Sequence, residues 1–398
     1  MSRAKLEVAD IFRLFGSRYE QQRCTPVSYR HRKIIKAITS CRTAQLGGHR
    51  ETCEQCGYIR ISYNSCRDRH CPKCQFLKKE QWIFDRNKDL LPVEYFHVVF
   101  TVPDALTVLM YCNQRALYAR LLRCAGRTIV EVARDPRYLG AQTGAICILH
   151  TWGQKLQLHP HVHAIVLGGG LSLDRSQWIS CKNGYLVPVT VLSQRFRRLF
   201  LDELKKMYRE ETFYLGGSLQ SLRDPVEFQQ FVDNLYATDW NVYAKRTFPA
   251  VYNVVEYLAR YTHRIAISNY RIMKLEDNRV FFSYRDSADN NKRKVTDLPA
   301  EEFIRRFLLH VVPKRFVRIR YVGLLSNRTR ANNIELCREL LNVKPEDVPQ
   351  QAHPEGYVEL LRQLFGVDLS TCPDCGGLMI VNLSELRETS YGSPTVLP

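Results

Sequence analysis

The sequence predicts an α+β protein, with a small Cys-rich, basic N-terminal domain ahead of a larger core that mixes strands and helices. Three observations carry that reading. Two C-x2-C knuckles crowd into "TCEQCGYIRISYNSCRDRHCPKC". Two apolar runs, "GAICILHTWG" and "HVHAIVLGGG", lie close together in mid-chain and read as neighbouring buried strands, and helical periodicity marks residues 105–133, "AVYNVVEYLARYTH" and "AEEFIRRFLLHVVP".

Taken in order, "YRHRKIIKAIT" reads as a helix and leads into the cysteine cluster. At "YFHVVFTVPDAL" the pattern changes to a β-branched and aromatic run ending in a Pro-Asp turn, which sets a boundary near residue 90. The helical stretch 105–133 follows, and then the two buried strands as a hairpin whose trailing glycines end the second strand. Residues 171–245 hold mixed short elements, among them the basic amphipathic "SQRFRRLFLDELKKMY". The helix "AVYNVVEYLARYTH", strand-like "RIAISNYRIM" and "RVFFSYRD", and a helix stopped by Pro313 complete the core. After Arg330 the chain reads as an appendage with one helix and "TCPDCGG". The expected division is therefore 1–90, 91–330 and 331–398.

The 398 residues carry 58 Lys+Arg against 40 Asp+Glu, a formal charge of +18. Such a charge favours a polyanionic partner, because neutralising phosphates releases condensed counterions. Aromatics interleave with the basic residues in "NYRIMK", "PKRFVRIRY" and "RFRRLF", a pattern suited to single-stranded nucleic acid, whose bases can stack. No run of about 18 apolar residues exists and no secretory leader opens the chain, so the expected location is cytoplasmic, with no membrane partner. Fourteen cysteines in such a chain point to metal rather than disulfides.

Cys53 with Cys56 and Cys71 with Cys74 form two knuckles, and the spacing predicts that these four thiolates hold one structural Zn2+. Cys66, His70 and His49 are near enough for a swapped ligand or a partial second site. Arg50, Arg60, Arg67, Arg69 and Lys73 surround the cluster and suit docking on DNA. Cys372 and Cys375 form a single knuckle that is either a half-site completed elsewhere or only a turn.

"LQLHPHVHAIVLGGG" sets three of the 11 histidines at alternate positions. In a strand, His161 and His163 share a face with Val162 opposite, and two imidazoles on a rigid strand make half of a metal site with open positions. Tyr257 and Tyr261, four apart, fall on one face of a helix, with Arg260, His263 and Arg264 beside them as phosphate-binding groups. A phenol is a poor nucleophile at neutral pH. It can attack a phosphodiester when a metal ion polarises the phosphate and basic groups neutralise the developing charge.

An H-hydrophobic-H strand followed by a Y-x3-Y helix resembles the HUH endonucleases. The order "YNSCRDRHCPKCQ", "YFHVVFTVPDAL", "LHTWGQ" with "HPHVHAIVLGGG", "YLARYTHRIAISNYRI" and "RFLLHVVPKRFVRIRYVGLL" resembles their two-tyrosine transposases of the insertion-sequence-ninety-one type. The resemblance implies a central antiparallel sheet flanked by helices, with the histidines on a middle strand. It also implies a DNA transposase that cuts and rejoins single-stranded DNA at element ends through 5′-phosphotyrosine links, in a rolling-circle-like route. Tyr257 and Tyr261 would be catalytic, and His161 and His163 would bind Mg2+ or Mn2+. The third metal ligand stays open among His97, His150, Gln154 and His263. No G-x4-G-K-[ST] loop is present, so no nucleotide cofactor is expected, and strand opening falls to host replication or unwinding proteins or to supercoiling. On DNA the protein would be nucleoid-associated. A replication initiator or relaxase of the same chemistry, a non-catalytic zinc DNA-binding protein and a zinc hydrolase built on "HPHVH" are the rival readings.

Overall fold

The computed structural model describes residues 6–87, 89–181, 186–246, 266–286, 288–344, 359, 361–363, 366 and 368–382. In chain order these residues form α1 (Val8–Gln21), α2 (Tyr29–Ser40), β1 (Gly48–Cys53), β2 (Ile59–Tyr63), α3 (Pro72–Asn87), β3 (Tyr95–Thr101), α4 (Thr107–Cys112), α5 (Gln114–Arg134), β4 (Gly144–Trp152) and β5 (Leu158–Leu167). There follow β6 (Gly169–Leu171), β7 (Trp178–Ser180), α6 (Val189–Arg209), α7 (Pro225–Ala237), β8 (Val242–Arg246), β9 (Ile272–Glu276), β10 (Arg279–Asp286), β11 (Lys292–Pro299), α8 (Ala300–Leu309), β12 (Ile319–Gly323), α9 (Arg330–Leu340) and β13 (Met379–Asn382). Among the described residues, no helix is long and apolar enough to cross a membrane.

The centre is a five-stranded antiparallel sheet in the order β12-β4-β5-β3-β8, so β5, with His161 and His163, is the middle strand. Strand alternation sorts its side chains between two layers. Val162, Ala164 and Val166 of β5, Ala145, Cys147 and Leu149 of β4, and Phe96, Val98 and Phe100 of β3 share one core with Leu117 and Leu121 of α5 and Phe196 and Phe200 of α6. On the other face Ile146, Ile148, Ile165 and Leu167 meet Leu91 and residues of α9. The histidines stand on that second face.

One expectation is changed in detail and one is refined. The single helix expected over residues 105–133 breaks at Asn113, which leaves helical geometry (φ −121°). There its side-chain amide donates to the Leu109 and Tyr214 carbonyls and its oxygen accepts from the Tyr214 amide, which fixes the break. The glycines do end β5, which stops at Leu167, as expected. They lead into β6, which pairs with β7 and exchanges amide hydrogen bonds with Gln142. A Cβ on Gly170 would lie 2.3 Å from the Gln142 carbonyl, so close backbone approach is what that glycine serves.

A second core joins regions that the sequence assigns to different domains. Phe12 and Phe15 of α1, Ile34 and Ile38 of α2 and Cys41, Cys71 and Cys74 pack with Val280, Phe282, Phe303 and Phe307. Phe12 meets Phe307 of α8 edge to face, with centroids 5.3 Å apart. A separate three-stranded sheet, β13-β1-β2, brings the described C-terminal residues onto the N-terminal region, with Arg50 to Cys53 opposite Asn382 to Met379. Residues 372–382 therefore belong spatially with residues 48–63.

Candidate metal centre and cysteine clusters

The histidine site is built from three strands. His150 on β4 lies opposite His161 on β5, and Val99 of β3 lies opposite His163, two residues beyond His97. Pro160 has no amide to give the ladder, and the β4–β5 register breaks beside it, between His150 and Trp152. The break ends the regular pairing just beyond His150 and His161. Ligand nitrogens of His150, His161 and His163 all lie within 4.8 Å of one another, and the three residues are buried.

Ring orientation is set from behind. The His161 Nδ1 lies 2.6 Å from the His159 carbonyl oxygen, which can only accept, so Nδ1 carries the proton and Nε2 keeps its lone pair. His163 Nδ1 lies 2.8 Å from His97 Nε2. The two forward-facing Nε2 atoms are 3.0 Å apart. That matches the roughly 3 Å between adjacent ligands of a six-coordinate ion with bonds of about 2.1 Å. Trp152 stacks on His150 at 4.4 Å. Burial lowers His161 and His97 to about 4, so both are neutral at physiological pH, the form in which imidazole binds a cation. The donor set fits a divalent ion.

The cysteines form two separate clusters. Cys41, Cys66, Cys71 and Cys74 make one, and Cys53, Cys56, Cys372 and Cys375 make the other. In the first, Cys74 Sγ lies 3.5 Å from Cys41 Sγ and 3.6 Å from Cys66 Sγ. Hydrogen bonds from the other three cysteines draw the Cys74 thiol far below its usual range. In the second, Cys53 and Cys375 are 3.4 Å apart and Cys56 and Cys372 3.6 Å. The expectation that Cys53, Cys56, Cys71 and Cys74 share one ion is thus corrected. Cys53 leads out of β1 beside β13, whereas Cys71 and Cys74 open α3 and face the α1–α2 core.

The basic residues near the clusters divide as well. Arg50 is exposed, but Arg60 binds Glu51 and the Leu369 carbonyl, Arg69 donates to the Phe316 carbonyl, and Lys73 pairs with Glu7. Burial lowers the guanidinium pKa values of Arg30, Arg69 and Arg318, Arg318 to about 9, and further lowering comes from Arg115 at Arg30, Arg30 at Arg69 and Arg69 at Arg318. Asp68 opposes the shift at Arg30 and Arg69. Arg318 adjoins β4 next to His150, since its carbonyl accepts from the Leu149 amide.

Comparison with known proteins decides the family. Residues 11–102 match the family described as "Transposase zinc-binding domain", and residues 144–333 the one described as "Putative transposase". The protein named "Putative transposase y4qJ" of Sinorhizobium fredii (strain NBRC 101917 / NGR234) is 45% identical over 375 residues, 94% of each chain. This chain belongs to the insertion-sequence-ninety-one family of transposases. The transposase is also 26% identical to the "Transposase for insertion sequence element IS801" of Pseudomonas savastanoi pv. phaseolicola, over 87% of this chain and 82% of that one. A metal-free structure of the conjugative relaxase TrwC with oriT DNA aligns over 61% of this chain and 71% of its own at 13% identity. The TM-score is 0.23.

All four ligands of the first cysteine cluster fall inside the zinc-binding span of the transposase, and four soft thiols at these separations fit a tetrahedral structural zinc. Sequence reasoning named Cys66 as a swapped ligand but missed Cys41, which lies outside any knuckle. Of the candidates for third histidine-site ligand, the structure brings His150 to the pair. His97 stands behind His163, Gln154 is exposed, and His263 lies outside the described residues. Tyr257, Tyr261, Arg260 and Arg264 lie outside them too.

Proposed function

We propose that this transposase cuts and rejoins single-stranded DNA at the ends of its element, with Tyr257 and Tyr261 as nucleophiles. The observation that carries the reading is the convergence of His150, His161 and His163 on one point of the sheet, with their rings held from behind. A bound Mg2+ or Mn2+ supplies charge that polarises the scissile phosphate. His150, His161 and His163 would hold that ion, and the His159 carbonyl and His97 keep the ligand rings aimed.

The phenol oxygen of one tyrosine attacks phosphorus while its proton passes to solvent. The bond from phosphorus to the 3′ oxygen breaks, the 3′ oxygen takes up a proton, and a 5′-phosphotyrosine with a free 3′-OH results. Attack by a 3′-OH on that phosphotyrosine rejoins a strand and releases the tyrosine. Two tyrosines allow two such links, one for each of two exchanging strands. Arg260, His263 and Arg264 neutralise phosphate charge. The segment that carries them is flanked by Arg246 at the end of β8 and by Ala266, which shares an apolar cluster with Trp152, the residue stacked on His150. The formal charge of +18 supports a polyanionic substrate.

The test uses purified protein, a labelled single-stranded element-end oligonucleotide and Mn2+, resolved on a denaturing gel. Wild type gives a covalent band, each Tyr→Phe variant a weaker one, and Tyr257→Phe/Tyr261→Phe none. A band that survives in the double variant removes both tyrosines from the chemistry.

A further inference from the structure

We infer that the transposase holds a second structural zinc in a site that joins its two ends, with Cys53 and Cys56 supplying one half and Cys372 and Cys375 the other. This site lies outside the zinc-binding family span at its C-terminal half, because residues 372 and 375 are far beyond residue 102.

The two halves are built alike. Each is C-x2-C-G, "CEQCG" and "CPDCG". In the first, the Cys53 amide donates to the Tyr58 carbonyl at 2.9 Å and the Gly57 amide to the Cys53 carbonyl at 3.1 Å. In the second, the Cys372 amide donates to the Gly377 carbonyl at 2.7 Å and the Gly376 amide to the Cys372 carbonyl at 2.9 Å. The glycine after the second cysteine is left-handed in both, with φ of 72° at Gly57 and 76° at Gly376, a conformation that glycine adopts without penalty. The Gly377 amide also points at Cys375 Sγ, 3.4 Å away, as a donor to a thiolate would. Two like turns thus face each other and offer four sulfurs.

The sulfur separations decide between a metal and disulfides. Four thiolates around zinc, with Zn–S bonds of about 2.3 Å, lie roughly 3.8 Å apart, whereas a disulfide needs about 2.0 Å. The observed 3.4 and 3.6 Å fall near the first value and far from the second. Zinc entry displaces the thiol protons to solvent and needs no oxidant. The surroundings are prepared for closure across 322 residues: β13 pairs with β1 over four positions, Arg60 of β2 reaches the Leu369 carbonyl, and Met379 and Tyr58 pack on Cys53 and Cys372. The zinc therefore completes the β13-β1-β2 sheet, and that sheet depends on the far end of the chain.

The test counts zinc by atomic absorption in full-length protein carrying His161→Ala/His163→Ala, so that the histidine site does not contribute. Two zinc ions per chain are expected. Cys372→Ser/Cys375→Ser should leave one, and Cys71→Ser/Cys74→Ser should also leave one. A parent with a single zinc, or a Cys372→Ser/Cys375→Ser protein that still holds two, overturns the inference. Alkylation mapped by mass spectrometry on the unsubstituted cysteines covers the case of a variant that does not fold. Cys56 and Cys375 are exposed, so only an ion would shield them, and they should resist alkylation until a chelator is added. Rapid alkylation in zinc-loaded protein, or a disulfide at either cysteine, equally overturns it.

Discussion

At the scale of single residues, the pattern of polar contacts separates ligands from the groups that aim them. His97 is buried on the same face as the three converging histidines, yet it touches His163 at the nitrogen that points away from them. Such a partner fixes tautomer and ring rotation, and losing one typically weakens metal binding about 10- to 100-fold. His97→Ala should therefore lower Mn2+ affinity by about that factor in calorimetric titration, while His97→Gln, which keeps a polar atom near His163 Nδ1, recovers part of it. Unchanged affinity in His97→Ala would leave His97 a core residue only. Alternation along the strand made His161 and His163 legible in the sequence. His150 was not singled out there, because its role depends on β4 pairing with β5 in one register, which no local pattern specifies.

At the scale of elements, the core strands were legible from their apolar runs and the helices α2 and α8 from their periodicity, whereas the stretch read as mixed short elements holds the 21-residue helix α6. What the sequence could not give was partnership between distant elements. "CEQCG" and "CPDCG" share a glycine that "CPKCQ" lacks, and that glycine was the signal separating the two kinds of knuckle. Spacing alone paired the nearer knuckles. The contact of α1 with α8 is another partnership of this sort, and it ties the first cysteine cluster to the hairpin β10–β11 and helix α8. Phe12 and Phe307 are almost wholly buried, and truncating such a ring costs about 3–5 kcal/mol. Phe12→Ala should lower the thermal unfolding midpoint and loosen α8 together with α1. Hydrogen exchange confined to α1 would show the two helices to be independent.

At the scale of the whole molecule, charge and pH act on the fold as well as on DNA. His310, just after α8, is buried between β4 and the turn that follows it, its Nδ1 3.3 Å from Thr151 Oγ1 and its Nε2 3.1 Å from the Leu156 carbonyl. Burial pushes its pKa down from 6.5 to about 4, against the opposing hydrogen bonds. The folded state then binds fewer protons than the unfolded one between those values. The stability that neutral His310 confers is whole above about pH 6.5 and is lost as pH falls toward 4, on the order of 3 kcal/mol. The drop in thermal midpoint between pH 7 and pH 4.5 should shrink in His310→Gln; an equal drop in both proteins would assign the acid sensitivity elsewhere.

The short strand β13 also covers a hazard. Its four residues occupy one edge of β1, and β2 already presents Ile59, Ile61 and Tyr63 to solvent. A chain cut before residue 372 would leave β1 with open amides and carbonyls beside an apolar surface, the conditions under which strands from separate molecules pair. Loss of the far end would therefore cost this protein its solubility as well as the residues removed, because the uncovered edge of β1 would be free to pair with another copy.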